Sequence, residues 1–133
     1  MTGLAIDTSA LVAILTKEPE GAAFKTNMLD YSLLMMSAAS LLEVRMVLHG
    51  RHPALPGELD ALIVEMGITI EPVTASQSDI AFEAFCRYGK GTGHKAGLDF
   101  GDCFAYALAI ERNAPLLFKG DDFVHTDVKS FRM

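Results

Sequence analysis

The sequence is poor in cysteine, has no long apolar run and carries no surplus of positive charge. Each shortage removes a class of explanation. The two cysteines, Cys86 and Cys103, form no CxxC pair and show no zinc spacing. Neither a cysteine-held metal nor a disulfide framework is indicated, and two buried thiols in a reducing compartment are expected. No apolar stretch reaches the roughly 18 residues that a membrane span requires. The opening MTGLAIDTSALVAIL is apolar, but it lacks a basic flank and carries Asp7 in its middle. It therefore reads as a strand and a helix, not a secretory signal, and a cytoplasmic protein is expected. The glycine-rich loop Gly89-Lys-Gly-Thr-Gly93 lacks the GxGxxG spacing of a dinucleotide site, and no Gly-Lys-Ser/Thr marks a P-loop. The formal net charge is −6, so the surface as a whole does not advertise nucleic acid. That balance excludes nothing by itself, because a bound divalent cation reverses the local sign of an acidic site.

What is present suits a folded core. Half of the residues are hydrophobic and 21% are charged, which argues against disorder. No repeat or low-complexity linker divides the 133 residues, and a single domain over residues 1–133 is expected. Residues 4–7 read as a short buried strand, followed by a helix over 10–17 capped by Thr8 or Ser9. A second helix is expected over 19–29, with Pro19 in its first turn. A buried strand over 33–37 follows, then helices over 41–48 and 56–66. Residues 68–73 are β-rich, but Pro72 makes them an edge or a strand end. A helix capped by Thr74 or Ser76 runs to Tyr88, and one over 101–111 follows the glycine loop. A strand over 115–119, a turn over 120–122 and a last strand from Val128 close the chain. Strands alternating with helices predict an α/β fold, with a mostly parallel central sheet of four to five strands between two helical layers.

Such sheets bind ligands beyond the carboxyl ends of their strands, which makes the positions of the acids informative. Asp7 ends the first strand. Asp121 follows the strand around residues 116–118 by a short turn. Glu43 lies about one turn into its helix among Leu41, Leu42 and Val44, an unusual place for a lone Glu. Asp102 opens the helix of LDFGDCFAYALA. Each acid has an ordinary explanation as a cap, a turn residue or a surface charge. Asp99 and Asp122 suit capping and turn roles. Together, four carboxylates in one crevice repel one another, and a hard divalent cation compensates. An oxygen-only donor set without His or Cys fits Mg²⁺ or Mn²⁺, and such a site implies metal-assisted hydrolysis of a phosphate ester.

The stretches AIDTSA (5–10), LLEVR (41–45), AGLDFGDCFAYALA (96–109) and LLFKGDDF (116–123) occur in an order that resembles the PIN-domain ribonucleases. The likeness is specifically to the VapC-type toxins of bacterial toxin–antitoxin pairs. It spans nearly the whole chain and implies a PIN-like three-layer α/β/α sandwich. It implies Asp7, Glu43 and Asp102 as the core acids around Mg²⁺ or Mn²⁺, with Asp121 as the fourth, outer acid. It further implies an endoribonuclease acting on single-stranded regions of structured RNA, a homodimer, and a cognate antitoxin that silences it. One departure stands out: position 99, commonly Asn in such toxins, is Asp here.

RNA binding by an acidic chain needs local cations. Arg87, Lys90, His94 and Lys95 surround the glycine loop, and Arg45, His49, Arg51 and His52 follow Glu43. Two other readings compete. A phospho-acceptor signalling domain shares the doubly wound plan, but it needs an acidic pair after the first strand where Asp7 stands alone. A PIN-fold binding protein with a weak catalytic site is disfavoured because all four acids are present.

Overall fold

The computed structural model describes residues 3–131. Five strands form one sheet: β1 (Gly3–Ile6), β2 (Leu33–Ser37), β3 (Ile68–Glu71), β4 (Leu116–Leu117) and β5 (Ser130–Phe131). Their order is β3-β2-β1-β4-β5 and every pairing is parallel. Six α-helices connect them: α1 (Thr8–Leu15), α2 (Gly21–Met28), α3 (Ala38–Arg51), α4 (Leu55–Met66), α5 (Ala75–Tyr88) and α6 (Phe100–Glu111). A single 3₁₀ turn, Phe123–His125, precedes β5.

The inner strands β1, β2 and β4 are buried on both faces, so their residues divide by alternation. Leu4, Ile6, Leu34, Met36 and Leu117 join a core with α1 to α4. Ala5, Met35, Leu116 and Phe118 join a second core with α5 and α6, which contribute Ala84, Tyr88, Cys103, Tyr106 and Leu108. This is the expected three-layer sandwich. The chain winds outward through β1, β2 and β3 on one face, then crosses by α5 and α6 to β4 on the other side of β1. The order therefore reverses between β1 and β4, where open α/β sheets carry their ligand crevice.

Several boundaries differ from expectation. Asp7, not Thr8 or Ser9, caps α1. Glu18 N–H closes on the Ala13 carbonyl at 2.9 Å after Lys17 turns to positive φ, so Pro19 and Glu20 lie in a turn and α2 starts at Gly21. Ser37 caps α3 three residues earlier than expected, and α3 continues through the exposed Gly50 to Arg51. Thr74, one of the two predicted caps, holds α5. Strand β3 is an edge, as Pro72 requires. Cys103 is buried as expected, but Cys86 is exposed on α5, which corrects the reading of two buried thiols.

Candidate active site

Asp7 follows β1 directly and is nearly fully buried. Its carboxylate accepts the Ser9 N–H at 3.0 Å and the Ser9 hydroxyl at 2.6 Å. Ser9 Oγ in turn accepts the Lys119 N–H, just past β4, at 2.9 Å. One hydroxyl thus links the acid after β1 to the chain leaving β4, across the point where the strand order reverses.

Glu43 sits in the second turn of α3, half buried. The buried Thr8 hydroxyl lies 2.8 Å from its Oε1 and 3.2 Å from the Ser40 carbonyl. Residue 101 faces the same carboxylate. A methyl group on Gly101 would lie 2.2 Å from Glu43 Oε2, so only glycine lets α6 approach α3 without displacing it.

The first turn of α6 explains the two acids of LDFGDCFAYALA as a reciprocal pair. Asp99 is the N-cap and accepts the Asp102 N–H at 2.9 Å. The Asp102 carboxylate accepts the Asp99 N–H at 3.0 Å. This capping box satisfies two backbone donors that a helix start otherwise leaves unpaired. Asp99 has the capping role expected of it, whereas Asp102 both caps and faces the other acids.

Electrostatics ties these groups together. Burial pushes the Asp7 carboxyl from its usual 3.8 up to about 6; Ser9 opposes this and the Glu43 charge adds to it. Burial pushes Asp102 to about 8, the Asp99 N–H opposes, and the charges of Asp7, Asp99 and Asp122 add. Two carboxyls from different elements are therefore held above their normal range by burial and by one another. That pattern marks functional sites more often than structural ones. Asp121 lies exposed on the turn after β4, and its neighbour Asp122 is felt at Asp102.

The donor set suits a hard cation. All its donors are carboxylate and hydroxyl oxygens, and its negative charge is largely uncompensated, since Lys119 Nζ is turned to Glu18 at 2.7 Å and Glu20 at 3.5 Å. Among the described residues no three His, Cys, Asp or Glu side chains stand in a ready-made coordination group. Each carboxylate is turned to a local donor: Asp7 to Ser9, Glu43 to Thr8 and Asp102 to Asp99.

Sequence reasoning singled out Asp7, Glu43, Asp102 and Asp121 but passed over the residues that contact them. Thr8 and Ser9 were read as caps, Gly101 as a helix start and Asp122 as turn chemistry. Their only sequence signal is adjacency to the acids. The basic clusters are partly occupied with structural work. Arg87 lies over the Tyr88 ring and 3.8 Å from Asp127, and His94 Nδ1 accepts the Ala96 N–H at 3.0 Å. Arg45 pairs with Asp60 at 3.4 Å and His52 Nδ1 accepts the Ala54 N–H at 3.1 Å. Lys90 and Lys95 remain exposed on the glycine loop.

Comparison with known proteins gives a consistent result. The family model described as PIN domain matches residues 4–129. Ribonuclease VapC28 of Mycobacterium tuberculosis is 47% identical over 125 residues, covering 93% of this chain and 94% of the relative. The crystal structure of Mycobacterium tuberculosis VapC20, described as a Sarcin-Ricin loop cleaving toxin, superposes with a TM-score of 0.79 at 18% identity, covering 99% of this chain and 100% of that one. VapBC2 of Rickettsia felis, solved bound to a promoter DNA fragment, superposes with a TM-score of 0.76 at 16% identity, covering 98% of this chain and 96% of that chain. At such identities the two structures speak for the fold.

Proposed function

The chain belongs to the PIN-domain family, among the VapC ribonucleases, and from that premise we propose that Asp7, Glu43 and Asp102 form its catalytic metal site, with Asp121 as the outer acid. The protein is a ribonuclease toxin of the toxin–antitoxin type, and the family is metal-dependent in general. One observation carries the assignment of residues. The charges of Glu43 on α3 and of Asp102 on α6 both couple to Asp7, just after β1 where the strand order reverses, and Asp7 and Asp102 are held well above the normal carboxylate range.

The ion that suits the donor set is Mg²⁺ or Mn²⁺. When bound, it supplies positive charge that activates water and neutralises charge developing on a phosphodiester. The chain's own residues orient the donors. Ser9 fixes Asp7, Thr8 fixes Glu43, and the capping box fixes Asp102 at the start of α6. The positive end of the α6 dipole favours the Asp102 charge and, beside it, an incoming phosphate. Lys90 and Lys95 supply exposed cations on the loop that leads into α6.

The substrate is RNA, cut in single-stranded regions of structured molecules. The working unit is a cytoplasmic homodimer, each chain one PIN unit over residues 1–133, and a cognate antitoxin silences it. Solved neighbours that include a toxin–antitoxin complex from Klebsiella pneumoniae support the antitoxin partner. Purified protein incubated with total cellular RNA is expected to yield discrete fragments with Mg²⁺ or Mn²⁺, and none with EDTA or with Asp102→Asn. Equal cleavage in EDTA would overturn the metal site.

A further inference from the structure

The glycine loop between α5 and α6 is held in shape by its own hydrogen bonds. Lys90 N–H donates to the Leu98 carbonyl at 2.8 Å and Leu98 N–H to the Tyr88 carbonyl at 2.9 Å, which closes the base of the loop. Inside it, the Thr92 hydroxyl donates to the Gly89 carbonyl at 2.7 Å and accepts the His94 N–H at 3.3 Å. His94 rests edge-on against Tyr88 with ring centroids 5.0 Å apart, and Ala96 and Leu98 are buried in the core shared by α5 and α6. The shape is therefore set before any ligand arrives.

These bonds use every second backbone donor. The N–H groups of Lys90, Thr92, His94, Ala96 and Leu98 are all accepted within the loop or at its base. Among the described residues nothing accepts those of Gly91, Gly93, Lys95 and Gly97. Gly91 and Gly93 stand at φ +92° and +86°, while Lys90, Thr92 and His94 around them have negative φ. Such alternation gathers successive N–H groups into a concavity that holds anions. A methyl group on Gly91 or Gly93 would meet nothing within 4 Å, so the space in front of this backbone is open. The charge agrees. Lys90 and Lys95 are exposed, and no described carboxylate lies within ion-pair distance of either, whereas Arg87 is held by Asp127. We propose that the loop is an anion site for the RNA backbone, in which the free N–H groups of Gly91 and Gly93, with Lys90 and Lys95, hold a phosphate flanking the scissile one.

This site rests on the ribonuclease reading and deepens it. Leu98 leads directly into Asp99 and the capping box that holds Asp102, so chain length alone keeps the Lys95 backbone within about 14 Å of that cap. The strand being cut is thus the anion nearest to hand. A phosphate contact fixes where the strand lies without reading its bases. An acidic protein segment offers similar charge, but it has no reason to track from the loop into a phosphodiester-cleaving centre.

The test is the salt dependence of binding to a labelled single-stranded oligoribonucleotide, followed by anisotropy. EDTA prevents cleavage and keeps divalent ions out of the salt series. Lys90→Gln and Lys95→Gln together are expected to weaken binding and to lower the slope of log Kd against log salt by roughly 0.7 for each lysine. Lys17→Gln removes an exposed, unpaired cation beyond α1 and is expected to leave the slope unchanged. An unchanged slope in the loop variant, or an equal loss per lysine in Lys17→Gln, would overturn the site. Gly93→Ala tests the backbone with both lysines in place. Alanine either turns the loop away from positive φ or sets its methyl group in the open space, and both are expected to weaken binding about tenfold. Binding equal to wild type would remove the backbone donors and with them the site. Loss of polyglutamate binding in the loop variant, with RNA binding intact, would overturn the site in favour of an acidic protein segment. In the cleavage assay the double lysine variant is expected to raise KM more than it lowers kcat. An unchanged KM in a variant that still needs metal and Asp102 would remove the site and leave the nuclease, whereas failure of the wild type to cleave in any metal would count against the nuclease itself.

Discussion

At Asp7 two roles are superimposed, and they separate by substitution. In the metal-free protein the folded state holds its proton more tightly than the unfolded chain does, because its pKa is raised from 3.8 to about 6. The stability this contributes is complete below pH 3.8 and is lost as pH rises through about 6. Near neutrality the ionised, buried Asp7 is a cost. Asp7→Asn removes the charge and keeps the cap on α1, since Asn caps as well as Asp. The variant is therefore expected to melt higher than the metal-free wild type at pH 7.5, by up to ~3 kcal/mol, and to lose cleavage. A variant that melts lower would show that Asp7 serves chiefly as the acceptor for Ser9. Gly101→Ala makes the complementary case. Alanine favours the helix by about 1 kcal/mol, but its methyl group displaces the Glu43 carboxylate. Unchanged or raised stability is expected, with cleavage falling on the order of a hundredfold. Full activity would show that Glu43 has room to move without consequence.

Helix α6 binds the site to the fold. Its C-terminal half is buried through Ala105 to Ala109, and Tyr106 donates to Asp127 in the segment before β5. Its first turn carries the capping box, so the departure at position 99 is tested there. Asp99→Asn keeps the cap and removes one of the charges that raise Asp102. The Asp102 pKa of the metal-free variant, followed by carboxyl NMR, is expected to fall, with the melting point nearly unchanged. Asp99→Ala is expected to cost about 1 kcal/mol in stability by losing the cap. An Asp102 pKa that does not move in Asp99→Asn would contradict the electrostatic coupling.

At the scale of the molecule, the architecture was legible because alternating strands and helices leave few topologies. Pro72 located an edge, and Gly67, at positive φ, ended α4 as expected. The acids were legible because carboxylates at strand ends and on a buried helix face are uncommon. Less visible were features that depend on side chains meeting across elements. The Ser9 bridge to Lys119, the Thr8 contact with Glu43 and the approach of Gly101 join residues far apart in sequence. The exposed rings on α5 and α6 escaped notice because apolar residues at helical spacing usually mark core. Methionine shows the same limit: Met28, Met35 and Met36 are fully buried while Met46 is 65% exposed.

Because β1, α3 and α6 bring the acids together only in the folded chain, binding of an ion there must stabilise the whole fold. The most direct measurement is therefore a calorimetric titration of the protein with Mn²⁺, paired with its melting temperature, for wild type and for Asp7→Asn, Glu43→Gln and Asp102→Asn. Wild type is expected to bind and to gain about 2.7 kcal/mol of stability at a hundredfold excess over Kd. Each variant is expected to bind weakly or not at all and to gain little. Equal binding and equal stabilisation in all four proteins would place the ion elsewhere and contradict the assignment of these acids.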